Sequence, residues 1–267
     1  MLITASTAAP AQQIVYEPML CVILEGAKRT TLGAHSYAYR AGDYLVVSAD
    51  LPVSGEVLEA PYAAVGVPLD PALIAELTLH AGGAATDEAP GRALNVSRMD
   101  DGLLDAVGRL VRLLDRPDDA SVLAPMLQRE IVWRLLAGEH GATVRQIGRK
   151  DGRLGRIQQV IAHLRERYAE PVRIEDLAEL AGMSATSLHR HFKAVTSMTP
   201  LEYQKQVRLQ EARNRLLSEG RDIAGIGFSV GYDSPSQFSR EYSRQFGQPP
   251  GRDLARLRAF GPQAVVL

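Results

Sequence analysis

The chain has 267 residues, of which 46% are hydrophobic and 23% charged, with a formal net charge of −1, an ordinary globular composition for one large or two average domains. It contains no apolar run long enough to span a bilayer and no basic segment before an apolar run at its start, and Cys21 has no second cysteine to pair with; these features predict a cytoplasmic protein outside the membrane. Of 30 Lys+Arg and 31 Asp+Glu, 18 and 13 fall from Lys150 onward, leaving 12 and 18 before it, the asymmetry of a nucleic-acid reader joined to a different kind of domain.

In chain order, residues 1–13 read as a short tail. Leu20–Leu24, Arg29–Leu32, Ser36–Tyr39 and Tyr44–Ser48 are short runs rich in β-branched and aromatic residues, punctuated by Gly26, Gly33 and Gly42. Two more runs lie near Gly55–Leu58 and Ala63–Val67. Strands at this pitch predict an antiparallel sandwich or small barrel. Asp70-Pro71 is a helix start, predicting a helix over Ala72–Leu79 and then a loop over Gly82–Gly91.

Leu103, Leu104, Val107, Val111 and Leu114 stand at helical spacing, as do Leu123, Met126, Leu127, Ile131 and Leu135. The two predicted helices, parted by Arg116–Asp119, form an antiparallel hairpin on the barrel or against a second subunit, with Trp133 in the core or a dimer interface. Residues 139–155 are polar and glycine-containing and read as a linker. Ile157, Val160, Ile161, Leu164 and Tyr168 then form a helical stripe that ends before Pro171.

The C-terminal part carries one pattern twice. Leu177–Phe192 and Ile226–Tyr242 each contain a short helix, a glycine (Gly182, Gly231), a serine (Ser184, Ser234) and a second helix. The glycine permits the left-handed turn, and the serine caps the second helix. Leu188/Phe192 and Phe238/Tyr242 give that helix a buried face, and Ala178 and Gly227 are small where helices cross. The opposite face carries Thr186, His189 and Arg190 in one copy and Ser236, Ser239 and Arg240 in the other, side chains able to bond base edges and phosphates. That is a tandem helix-turn-helix. Thr199-Pro200 starts a helix to Leu217, which at 1.5 Å per residue spans roughly 27 Å, near the roughly 34 Å between successive major grooves on one DNA face.

Over residues 156–258 the sequence resembles the AraC/XylS family, on Ile174–Ala178, Thr199–Tyr203, Arg208–Arg213, Gly231–Arg240 and Phe246–Pro250. The resemblance implies that Thr186, His189, Arg190, Ser236, Gln237, Ser239 and Arg240 read double-stranded promoter DNA, with RNA polymerase as a partner. Gly225 and Gly227 depart from good helix formers, each costing about 1 kcal/mol relative to alanine, which predicts a looser second unit. Tyr16–Gly26, Gly42–Ser48, Leu51–Gly55 and Asp70–Ile74 resemble the family's cupin-like N-terminal domain, which implies a small-molecule effector or a homodimer.

The expected architecture is therefore α+β in two domains. A cupin-like β-barrel with a helical hairpin occupies residues 1–138, a linker 139–155, and an all-α tandem helix-turn-helix domain 156–267. Cys21, Lys28, Tyr37 and Tyr44 are the candidate effector contacts. Cys21 reads as a buried small hydrophobe, and a thiol sensor there would need its pKa lowered by Lys28 or Arg29. No nucleophile elbow or phosphate-cradling loop appears, the barrel region has no His-x-His motif, and His189 and His191, two apart on a helix, point to different faces, so neither catalysis nor a metal or other cofactor is expected.

Overall fold

A computed structural model describes residues 1–81, 91–149, 151–219, 222–260 and 265–266. Residues 82–90 of the expected Gly82–Gly91 loop, and Lys150, lie outside the described residues. An antiparallel sheet is built from β1 (Leu2–Ala5), β2 (Ala9–Tyr16), β3 (Met19–Leu32), β4 (His35–Arg40), β5 (Asp43–Val47), β6 (Leu51–Pro68), β7 (Leu94–Arg98) and β8 (Val265–Val266). Its order is β7-β5-β3-β6-β1-β8, with β2 also on β6 and β4 also on β3. Among the described residues this path does not return on itself, so the sheet bends around a core without closing into the expected barrel.

Two other expectations change. Residues 1–13 are not a tail: Leu2–Ala5 pairs with Tyr62–Val65, and Gln12–Tyr16 with Leu51–Gly55. β6 is long, and these segments satisfy backbone groups along an edge that would otherwise be bare. The runs on either side of Gly26 are one strand, because Gly26, at φ +74°, marks a register shift against β6 rather than a chain reversal. A Cβ there would lie 2.5 Å from the carbonyl oxygens of Glu59 and Pro61.

The helices α1 (Pro71–His80), α2 (Asp101–Arg112), α3 (Pro117–Ala137), α4 (Gly141–Ile147) and α5 (Arg153–Glu166) follow. Asp70 caps α1 by accepting from the Ala72 amide at 2.8 Å. α2 and α3 pack on the sheet through Leu103, Val107, Ile131, Val132 and Leu135. Trp133 falls off that stripe and is 45% exposed, so it is not a core residue. The stretch read as a linker contains α4, whose Val144 and Ile147 are buried.

The remaining helices are α6 (Ile174–Leu180), α7 (Ala185–Thr196), α8 (Pro200–Glu219), α9 (Ile223–Ser229), α10 (Pro235–Phe246) and α11 (Pro250–Phe260). One apolar core runs from the sheet through α5, α6 and α7 to Val207 in α8. A second begins at Leu209 in the same helix and takes in Ala212, Leu216, Ile226, Phe238 and Tyr242. The sheet grips the first helical unit with polar contacts as well. Gln158 donates to the Ser48 carbonyl at 2.8 Å, Tyr203 to the Asp50 carbonyl at 3.0 Å, and Arg165 binds the Asp50 carboxylate. Burial holds Asp50 above the usual carboxylate pKa, opposed by Arg165.

Candidate nucleic-acid interface

The two copies of the sequence pattern fold to one design. α6 and α7 are joined by a turn at Gly182 (φ +59°), and α9 and α10 by a turn at Gly231 (φ +91°). Ser184 Oγ accepts from the Ser187 amide at 3.3 Å, and Ser234 Oγ from the Gln237 amide at 3.4 Å, so each second helix starts on a serine cap. Leu188, Phe192, Phe238 and Tyr242 are fully buried. The other face of each helix is open. Thr186, Arg190, Ser236, Gln237 and Arg240 are exposed, and His189 and Ser239 are half-buried. His191 lies inside the fold, near the Arg190 guanidinium at 3.4 Å. The sequence-derived DNA contacts thus lie on the open faces of α7 and α10.

The glycines that weaken α9 have local reasons. A Cβ on Gly227 would lie 3.0 Å from Phe238 Cδ1, so α9 and α10 meet at van der Waals contact there. The Gly225 amide donates to the Asp222 carboxylate at 2.8 Å, and a Cβ at 225 would run into that cap.

Two buttresses were not identified as such from sequence. The Arg208 guanidinium donates to the carbonyls of Tyr168, Ala169, Glu170 and Gly231. Asp253, completely buried, accepts from Arg213 at 2.9 Å, Tyr242 at 2.9 Å and Arg256 at 2.7 Å. Arg213 also lies 4.6 Å from the centre of the Phe246 ring. Arg208 and Arg213 bracket one of the quoted motifs, which was the only signal available.

The four candidate effector contacts do not all share one side of the sheet. Cys21 is buried, and burial pushes its thiol up to about 11 against a smaller lowering by Lys28, the reverse of what a thiolate sensor needs. Arg29 points outward and pairs with Glu56. Lys28 is 8% exposed and donates to the Tyr16 hydroxyl at 3.0 Å. Tyr37 lies across from Thr30 on β4, its buried hydroxyl without a hydrogen-bond partner among the described residues. Tyr44 packs edge-on against His140 at 6.0 Å. Cross-strand pairing sets Tyr44 opposite Val22 and Leu45 opposite Cys21, so Tyr44 and Cys21 face opposite sides of the sheet. Sequence reasoning passed over Tyr16, Thr30 and Tyr62, which sit with Lys28. Among the described residues, no three His, Cys, Asp or Glu side chains are grouped for a metal, and no helix is long and apolar enough to cross a membrane.

Residues 1–143 match a family profile described as the AraC-type transcriptional regulator N-terminus, and residues 177–256 one described as a helix-turn-helix domain. The HTH-type transcriptional activator RhaS of Escherichia fergusonii is 31% identical over 165 residues, 59% of this chain and 58% of that protein. RhaS of Salmonella schwarzengrund is 29% identical over 164 residues, 60% and 57% of the two. These matches thus span less than two thirds of either relative. ToxT from Vibrio cholerae O395, solved bound to (E)-4-(8-methylnaphthalen-1-yl)but-3-enoic acid, superposes with a TM-score of 0.60 at 11% identity, over 96% of this chain and 98% of that one. ToxT from strain SCE256, bound to unsaturated fatty acid, also gives 0.60, at 12% identity over 95% and 94%. The ToxT likeness shows the same two-part fold. With a family profile covering more than half of its residues and a second one on its duplicated helical units, the chain belongs to the AraC family of transcriptional regulators.

Proposed function

We propose that this chain is a sequence-specific DNA-binding transcription regulator that acts in the cytoplasm without catalysis of its own. Thr186, His189 and Arg190 on α7, and Ser236, Gln237, Ser239 and Arg240 on α10, contact base edges and phosphates in successive major grooves. The observation that carries this reading is the repeated geometry: two serine-capped helices, each buried on its aromatic side and open on its polar side, tied to one continuous helix, α8. α8 has 20 residues and so is about 30 Å long, close to the groove repeat. RNA polymerase is the natural partner of such a regulator at a promoter.

The working division is a sensor domain over 1–138, a connector over 139–155 and a DNA reader over 156–267. The sensor domain takes a small-molecule effector. It also pairs with a second copy through the outer face of α3 and the turn before it, where Leu114, Val122, Met126 and Trp133 are exposed.

Selection of bound sequences from a random DNA pool tests the central reading. A two-part motif, with its halves about one helical turn apart, is the expected result. Recovery of unselected sequence, or of a motif unchanged in Arg190→Ala and Arg240→Ala, overturns it. Metal analysis and sedimentation of the purified protein test the absence of a catalytic metal and the homodimer.

A further inference from the structure

A cavity of about 210 Å³ lies between the sheet and the hairpin of α2 and α3. Val65 and Val67 of β6 form one wall, and Leu110 of α2 and Leu113 of the turn after it form another. The gap exists because the inner side of α3 runs out of large side chains. Ala120, Ala124 and Gln128 stand there at i, i+4 and i+8. They share that side with Leu127 and Ile131, which enter the core, and lie opposite the exposed Val122 and Met126.

The lining is apolar apart from one amide, and no lining side chain is charged. Gln128 is half-buried, and among the described residues its side-chain amide makes no hydrogen bond. Leu110, Val111 and Ala124 are also only half-buried, so apolar surface is left open to the cavity. An ordered buried water usually takes about three polar partners, and the side chains here offer one.

We propose that this cavity binds a small neutral molecule, an alcohol or a ketone with an apolar body, whose oxygen bonds to the Gln128 amide. This rests on the reading of the N-terminal domain as a sensor and gives it a site and a ligand class. A dry cavity of about 150 Å³ admits benzene, so this one has room for a six-membered ring with a short substituent. A carboxylate or phosphate would enter with no cationic side chain to meet it. Apolar burial supplies the affinity, and the amide sets the orientation.

The hairpin carries the effect outward. Leu114 lines the cavity and is also 66% exposed on the face proposed to meet a second copy. Pro125 has no amide to donate to the Ser121 carbonyl, so the first two turns of α3 are tied less firmly than the rest. A ligand in the cavity fixes those turns against β6, and with them the outward Val122 and Met126.

The test titrates the full chain with cyclohexanol, cyclohexanone and benzyl alcohol. Hexanoate serves as the charged counterpart and methylcyclohexane as the oxygen-free one. Thermal melts and methyl NMR spectra are recorded. At about ten times its dissociation constant, at least one alcohol or ketone raises the melting temperature by about 3 °C. It also moves the methyl signals of Val65, Val67 and Leu110, and hexanoate does neither. Ala124→Leu fills the cavity and loses the response. Gln128→Leu keeps the fold, weakens binding of the oxygenated ligand about fivefold and leaves that of methylcyclohexane unchanged; it carries the test should the Ala124 variant not fold. No shift with any alcohol or ketone, an equal response to hexanoate, or Ala124→Leu binding like the parent overturns the proposal. DNA affinity and sedimentation are read in the same samples. Binding at these methyls that leaves both unchanged keeps the site and sinks the sensor reading. A ligand that alters DNA affinity without touching these methyls keeps the sensor reading and sinks the site.

Discussion

Arg208 donates to the carbonyl oxygen of Gly231 at 2.8 Å, and the same guanidinium holds the carbonyls of Tyr168, Ala169 and Glu170. One side chain in the middle of α8 thereby ties the end of the α5 segment to the turn of the second unit. Gly231 has to be glycine for the same reason, since a Cβ there would lie 2.3 Å from the Ala169 oxygen and 2.9 Å from Arg208 Cζ.

Arg208→Ala should cost about 2 kcal/mol or more, because it strands several part-buried acceptors at once. Arg208→Lys should recover little, since a point charge cannot reproduce the fork. Urea unfolding measures the cost, and DNA titration should show a loss of affinity even where folding persists.

Gly227→Ala should destabilise by about 1–3 kcal/mol despite alanine's better helix propensity, because the added methyl pushes on the Phe238 ring. Gly225→Ala should be close to neutral. It gains about 1 kcal/mol of propensity and loses a cap of about the same worth, since the Asp222 side chain it meets can swing away. Thermal melting of the two variants separates a packing glycine from a capping one.

Arg190→Ala and Arg240→Ala should each leave melting unchanged, because both side chains are exposed. Each should cost about 1–3 kcal/mol in discrimination at one base step. Competition binding with single-base variants of the selected site reads this out. A uniform loss at every position would mark the residue as a phosphate contact instead.

Stability should be level from neutral pH to about 5 and fall as the pH drops through the ordinary glutamate range near 4.5. The Arg134 and Arg109 hydrogen bonds hold Glu130 below its usual value, and the Thr199 amide and hydroxyl do the same for Glu202. For such groups the unfolded chain takes up protons first, so their contribution is present above the unfolded value and lost below it. Glu202 is exposed and Glu130 half-buried at the surface, so solvent screens the effect to a modest one. Asp50, raised by burial, works in the opposite sense and offsets part of the loss. Urea midpoints against pH check this, and Glu202→Gln should differ from the parent at pH 7 but converge with it in acid.

What could be read from sequence was whatever depends on neighbours along the chain. The capped α7 and α10, the left-handed Gly182 and Gly231, and the buried stripe of α5 follow from local spacing and local backbone needs. Features set by distant partners were hidden. β1 and β2 are strands because β6 offers them an edge. Trp133 is exposed because the buried stripe of α3 passes beside it. Lys28 turns inward after a register shift at Gly26 that strand alternation could not anticipate. Arg208 and Asp253 take carbonyl and guanidinium partners from 23 and 40 residues away, which local spacing does not reveal.

The passage from one core to the other takes place inside α8, between Val207 and Leu209, and not in a loop. Among the described residues the backbone between the two cores is one uninterrupted helix. In the proposed complex, a single base pair inserted between the two half-sites would turn one of them by about 34° around the duplex, and the protein has no joint there to follow it. Operators should therefore be strict in their internal spacing, and evolution would have to relocate both halves together.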